Sequence, residues 1–187
     1  MVDSRSILVA RAIPFHALTM SQTFDWTQVA LASTNVLAIS SASVNASLTF
    51  ITVPRILELP TPLNVRRWQS MFNVTKWWVA GPMVFSGLSY FGLAYRLRYE
   101  PLVFRLLVAS GALCISIVPF TRVIVLPTIE KLWEKVEVFQ GKPDSDNLEE
   151  DGETTHSLIQ AWGSWNLGRA IPVMTADCIG LYTALLI

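Results

Sequence analysis

Residues 157–187, SLIQAWGSWNLGRAIPVMTADCIGLYTALLI, are typical of a membrane-spanning helix, yet they contain Asn166, Arg169 and Asp177. A helix rises about 1.5 Å per residue, so about 20 apolar residues cross a hydrocarbon core. At about 100° per residue, the three polar side chains share one helix face with Trp162. Hydrocarbon cannot satisfy polar groups, so this face is expected to turn toward other helices or a cavity. The stretch predicts a helix bundle with a polar interior.

The remaining sequence favours the same class of protein. Of its 187 residues, 52% are hydrophobic and 15% are charged, which is too apolar for an ordinary soluble domain of this size. Three further stretches are long enough to span a bilayer, residues 28–53, 77–95 and 102–126. We therefore predict an all-α fold, an integral membrane four-helix bundle that forms a single domain over residues 1–187.

Two segments outside the spans differ in character. The first 25 residues include charged and proline residues and are interpreted as an interfacial N-terminal arm. Residues 142–153 contain six acidic residues and one lysine, which predicts a solvated acidic loop.

Charge and cysteine usage exclude two classes of function. The chain has 14 basic and 14 acidic residues, so it offers no broad cationic surface for a nucleic-acid backbone. Cys114 and Cys178 lie far from any His or Cys at metal-ligand spacing, which predicts free buried thiols and no metal site.

The first and third spans also have polar stripes at helical spacing. The aligned residues are Thr34, Ala38, Ser41, Asn45, Thr49 and Thr52 in the first, and Ser110, Cys114 and Thr121 in the third, with Arg122 beside them. Small and polar residues let membrane helices pack closely and bond to one another, which is a purely structural explanation. Ionisable residues can form an intramembrane ion pair, snorkel to the interface or mark a functional site, and these alternatives remain open.

Four segments resemble the signature regions of the anthrone oxygenase family, small membrane proteins with four spans that occur mainly in fungal polyketide gene clusters. They are ASLTFITVPRIL (46–57), VRRWQSMF (65–72), IVPFTRVIVLPTIEKL (117–132) and LIQAWGSWNLGRAIPVMTADCIGL (158–181). The most specific elements are the Pro-Phe-Thr and Leu-Pro-Thr pair and the Trp-x-x-x-Asn-x-x-Arg run that starts at Trp162. Family members often carry Asn at the position of Ile129.

The resemblance implies a cofactor-independent oxygenase that tailors an aromatic polyketide. Such an enzyme oxidises an anthrone to an anthraquinone with molecular oxygen and without flavin, haem or metal. The implied partners are a small aromatic substrate, oxygen and lipid. The implied location is multi-pass insertion in the endoplasmic reticulum or a vesicle membrane, and a homo-oligomer remains open.

This chemistry needs a donor for the developing oxyanion and a base. Arg169 and Asn166 are our first candidates for the oxyanion, and Arg122 could reach the same place from the third span. Histidine as a residue type titrates near neutral pH and Asp177 lies deep in the bundle, so either His156 or Asp177 could be the base. A substrate that is acidic enough would need only water.

Three further residues are candidates for contact with the substrate. An indole on a polar interior face can be a flat wall for a planar aromatic ligand. The substrate-binding candidates are Trp162, Asn45 and Thr121.

Two rival functions remain open at this point. The same scaffold could be a cyclase or isomerase that acts without oxygen on a polyketide or terpenoid-type intermediate. Alternatively, the chain could be a non-enzymatic scaffold or transporter with four spans. A transporter would show internal repeats or paired broken helices, and although Pro119 and Pro172 interrupt two spans, no repeat is evident at any fixed period.

Overall fold

The structure, a computed structural model, describes residues 25–143 and 153–187, and this part of the chain forms four long helices without a strand. The helices are α1 (Trp26–Leu57), α2 (Thr61–Arg96), α3 (Pro101–Val138) and α4 (Thr155–Ala184). The all-α prediction is confirmed. The predicted N-terminal arm and most of the predicted acidic loop lie outside the described residues.

Local sequence signals set the helix starts. The Asp25 carboxylate accepts the Thr27 backbone N–H at 2.8 Å, and this bond holds the pKa of the carboxyl below its usual value. Pro62 lies in the first turn of α2, and Pro101 lies in the first turn of α3. The first N–H groups of a helix have no partner within the helix, so the missing N–H of proline costs nothing there. At the start of α4, the Ser157 N–H donates to the Thr154 hydroxyl at 3.3 Å.

The four helices pack in a ring. Each helix contacts the next along the chain, and α4 closes the ring against α1. Residues 58–60 and 97–100 are short connections, so the helices that they join are antiparallel neighbours.

The bundle has two apolar cores that follow one another along its axis. The core near the α2–α3 connection contains Leu31, Tyr90, Leu107 and Val173, and we call it the lower core. The core near the α1–α2 connection, the upper core, contains Leu48, Trp68, Leu132 and Trp162. The buried side chains of Asn45 and Asn166 lie on the helices between these levels, so the apolar interior is interrupted there.

The helices α1, α2 and α3 are longer than the predicted spans. Residues 61–76 precede the span predicted from residue 77, but they form the first half of α2. Similarly, α3 continues beyond residue 126 to Val138. Trp68 on α2 and Leu132 on α3 are fully buried in the upper core, so apolar packing maintains these amphipathic extensions where composition alone indicates a polar segment.

Within the described residues, α1 and α3 are the helices long and apolar enough to cross a membrane.

A π-helical turn interrupts both of these helices. The turns are Leu48–Thr52 in α1 and Thr121–Val125 in α3. Each closes with an N–H that bonds to the carbonyl five residues earlier, from Val53 to Leu48 and from Leu126 to Thr121. A proline follows each donor, and because proline lacks an N–H and crowds the preceding turn, the wider turn fits there.

Candidate active site

A cavity of about 170 Å³ lies between the two cores and is lined by all four helices. Exposed Lys76 and Ala80 form part of its lining, so the cavity reaches the surface at α2. Most of the surface that encloses it is apolar. The lining residues are Asn45, Leu48, Phe72, Thr75, Lys76, Val79, Ala80, Thr121, Ile129, Trp162 and Arg169.

Arg169 places a partly buried cation in this cavity. Its Nη2 donates to Oδ1 of Asn166, which lies one turn earlier on α4 and is fully buried. No carboxylate forms an ion pair with Arg169 among residues 25–143 and 153–187. Arg169 Nε and Asn166 Nδ2 are also buried without a partner in this part of the chain. Because buried polar groups almost always have partners, the pair is suited to an anionic ligand.

Trp162 and Asn45 contribute further unpaired groups. Trp162 packs edge-on against Trp68, with ring centroids 6.1 Å apart, and neither indole N–H has a partner among the described residues. Asn45 donates weakly to Met83 Sδ at 3.8 Å, and its buried Oδ1 is unpaired within the same residues. Thr121 lies at the start of the π-helical turn in α3. The structure thus brings the predicted residues Asn45, Thr121, Trp162 and Arg169 to one cavity, with Asn166 bonded to the last of them.

Close contact between α1 and α4 positions the part of the cavity wall that contains Trp162. The Thr49 hydroxyl donates to the Gly163 carbonyl at 2.6 Å, beside Trp162. A Cβ at Gly163 would lie 2.9 Å from a Val53 methyl group, so only glycine lets the two helices approach this closely.

His156, a candidate base, does not line the cavity. Its Nε2 lies 3.1 Å from the Leu57 carbonyl, which can only accept, so Nε2 carries the proton. Its Nδ1 therefore accepts from Asn64 Nδ2 at 3.3 Å. Both ring nitrogens are engaged, and the side chain joins the starts of α4 and α2 to the end of α1.

We expect His156→Ala to destabilise the protein without impairing the catalytic step. The substitution leaves the buried Asn64 amide and the Leu57 carbonyl without a partner, which should lower the free energy of unfolding by about 1–3 kcal/mol. Melting temperature and kcat/KM, the latter measured well below the transition, separate the two effects. Loss of kcat in a fully folded variant would restore His156 as the base.

Asp177 and Arg122 are also placed away from the cavity. Asp177 is buried two turns beyond Arg169, on the part of α4 that packs in the lower core. Arg122 is exposed on the π-helical turn of α3. The geometry gives neither side chain a direct contact with a ligand in this cavity.

The sequence interpretation missed the contribution of α2. Phe72, Thr75 and Lys76 precede the span predicted from residue 77, so they were assigned to a connection.

Among residues 25–143 and 153–187, no group of three or more His, Cys, Asp or Glu side chains could hold a metal ion.

Comparison with known proteins gives two matches. The model of the family described as Anthrone oxygenase matches residues 68–177, more than half of the chain, from Trp68 on α2 to Asp177 on α4. The chain is also similar to Monooxygenase hypC of Dothistroma septosporum (strain NZE10 / CBS 128990), with 27% identity over 140 residues that cover 72% of this chain and 71% of that protein. No solved structure matches.

Proposed function

The chain belongs to the anthrone oxygenase family, and from this premise we propose that it oxidises an anthrone-like substrate to an anthraquinone with molecular oxygen, in the cavity that Arg169 lines. Family membership and the similarity to a monooxygenase identify an oxygenase-like enzyme. The substrate, the use of oxygen, the tailoring of an aromatic polyketide and independence from a cofactor are our proposals.

The observation that carries the proposal is the unpaired cation in an apolar, aromatic-walled cavity. Arg169 has no carboxylate partner in the described part of the chain, and its bond to Asn166 fixes its position. Fixed donors in a site of low polarity stabilise a developing anion more strongly than water does. A deprotonated anthrone is such an anion, because its negative charge lies largely on the carbonyl oxygen.

The oxidation can be balanced with the substrate's own electrons. Loss of one proton from the central methylene carbon gives an enolate, whose oxygen binds Arg169 and Asn166. The enolate passes one electron to oxygen, and the resulting radical and superoxide combine at the methylene carbon to form a peroxide, which takes up a proton. Cleavage of the O–O bond with loss of the second C–H proton gives the new carbonyl and water. Anthrone and oxygen thus yield anthraquinone and water without an external reductant.

The residues of the chain bind and orient the substrate in this scheme. Arg169 and Asn166 favour the enolate, which lowers the barrier to proton loss. Trp162 and Phe72 offer aromatic surfaces to the rings. Because His156 and Asp177 do not line the cavity, we assign the proton to water at the open end beside Lys76.

The test is oxygen uptake by purified, metal-stripped protein in detergent with emodin anthrone, after subtraction of the spontaneous rate. We expect protein-dependent uptake of one oxygen molecule for each quinone formed. If the protein rearranges the substrate under nitrogen and does not accelerate uptake, it is a cyclase or isomerase and the proposal is wrong.

We also propose that all four helices span a membrane, of the endoplasmic reticulum or of a vesicle. Large apolar side chains are exposed on the outer surface of every helix, among them Phe50 (67%), Phe85 (63%), Val123 (73%) and Leu181 (53%). Such surface is rare on soluble monomers and is favourable in lipid. The 36 residues of α2 and the 30 of α4 are also long enough to cross a hydrocarbon core of about 30 Å.

Membrane fractionation tests this placement. We expect the protein to stay in the pellet after washes with alkaline carbonate and with high salt, and to be released by detergent, because its contacts with lipid are apolar rather than ionic. Release by carbonate would show peripheral attachment and would contradict four spans.

A further inference from the structure

Lys76 brings a second cation to the cavity that Arg169 lines. Its ammonium donates to Asn73 Oδ1 at 3.3 Å and lies 5.9 Å from the centroid of the Phe72 ring, which also lines the cavity. The lining set contains these two cations and no acidic side chain. The cavity is therefore electropositive at its mouth as well as in its interior.

The environment of Lys76 repeats that of Arg169. In each case an asparagine three residues earlier accepts a hydrogen bond from the cation, Asn73 on α2 and Asn166 on α4. In each case a buried tryptophan with an unpaired indole N–H precedes the asparagine, Trp68 on α2 and Trp162 on α4.

The preceding helices correspond as well, because the π-helical turns of α1 and α3 both end one residue before a Val-Pro or Leu-Pro pair. The halves α1–α2 and α3–α4 thus resemble each other around the cavity. These shared features follow no fixed period, because Pro54 and Pro127 are closer together in the sequence than Asn73 and Asn166 are.

Burial distinguishes the two cations. Asn166 is fully buried and Arg169 is partly buried, whereas Asn73 and Lys76 are both exposed. One positive charge is thus inside the cavity and the other is at its opening. A ligand that binds both cations therefore needs two negatively charged groups at different ends of the molecule.

We propose that Lys76, positioned by Asn73, is a specificity-determining residue that binds a carboxylate on the substrate, at the end remote from the oxygen held by Arg169. This inference rests on the proposed function and names its substrate class, a ring-carboxylated anthrone. In this role Lys76 is held at the cavity mouth by its hydrogen bond to the Asn73 carbonyl and its position over the Phe72 ring. It is not the base of the reaction.

Kinetics with a matched pair of anthrones, with and without a ring carboxylate, test the inference. Lys76→Met should raise KM for the carboxylated anthrone about tenfold more than it raises KM for the other substrate. Lys76→Arg should retain the preference. Arg67→Met is the matched control, because it removes an exposed cation from the same helix outside the cavity. A fall in kcat for both substrates, an equal change in KM for both, or no change would overturn the inference.

Equilibrium binding separates this inference from the oxygenase proposal. The probes are anthraquinone-2-carboxylate and 2-(hydroxymethyl)anthraquinone, and the signal is quenching of tryptophan fluorescence, to which Trp162 in the cavity wall contributes. Wild type should bind the carboxylate about tenfold more tightly than the alcohol, and Lys76→Met should bind them equally. Preference without oxygen uptake would reject the oxygenase and retain the carboxylate site. Oxygen uptake without preference would reject the carboxylate site alone.

Discussion

Arg169→Met should lower kcat/KM for oxygen-dependent quinone formation by about 100- to 1,000-fold, the usual effect of removing one donor to a developing oxyanion. Methionine keeps much of the length and apolar bulk of the side chain while it removes the charge and the bond to Asn166. The variant should still fold, because the loss of a partly buried cation without a carboxylate partner in the described part of the chain offsets part of the cost of leaving the buried Asn166 Oδ1 unpaired. The measurement is quinone formation, with membrane yield and melting temperature as checks on folding.

Two other arginines make this prediction specific. Arg169→Lys should retain part of the activity, because it keeps the charge and loses the forked geometry that suits both Asn166 and an oxyanion. Arg105→Met is the matched control, since Arg105 is exposed on α3 and does not line the cavity. If Arg122→Met removed activity while Arg169→Met did not, the oxyanion would have to bind elsewhere and our site would be wrong.

Helical periodicity predicted the α4 side of this site. Trp162, Asn166 and Arg169 share one face, and a polar face in an apolar helix has to turn inward, whatever its exact neighbours are. The same reasoning placed Asn45 and Thr121 inside the bundle, where the structure finds them at the cavity.

The remaining features depend on tertiary contacts that a sequence does not display. Phe72 and Lys76 lie on a part of α2 whose composition is polar, and it is the packing of Trp68 against Trp162 that extends the helix there. The engagement of both His156 nitrogens depends on the meeting of three helix ends. Periodicity placed Asp177 inside correctly but could not resolve its axial distance from the cavity.

Gly180→Ala should cause the largest loss of stability, about 3 kcal/mol. A Cβ at this position would overlap Asn35 Oδ1 and would lie 2.6 Å from the Tyr90 hydroxyl oxygen. These two atoms are hydrogen-bonded to each other at 2.6 Å and are buried, so neither can move away without breaking that bond. Overpacking and a lost buried hydrogen bond each cost about 1–3 kcal/mol.

Gly81→Ala is the control, because nothing lies within 4 Å of a Cβ there, and alanine should stabilise the exposed helix by up to about 1 kcal/mol. We expect Gly180→Ala to melt about 5–10 °C below wild type in detergent and Gly81→Ala to melt at or above it. Equal melting temperatures would mean that α1, α2 and α4 are farther apart at this level than the structure places them. Well below its transition, Gly180→Ala should still turn over substrate normally, because Asn35 and Tyr90 lie near the lower core, away from the cavity. Loss of turnover in the folded variant would instead show that this buried cluster takes part in the reaction.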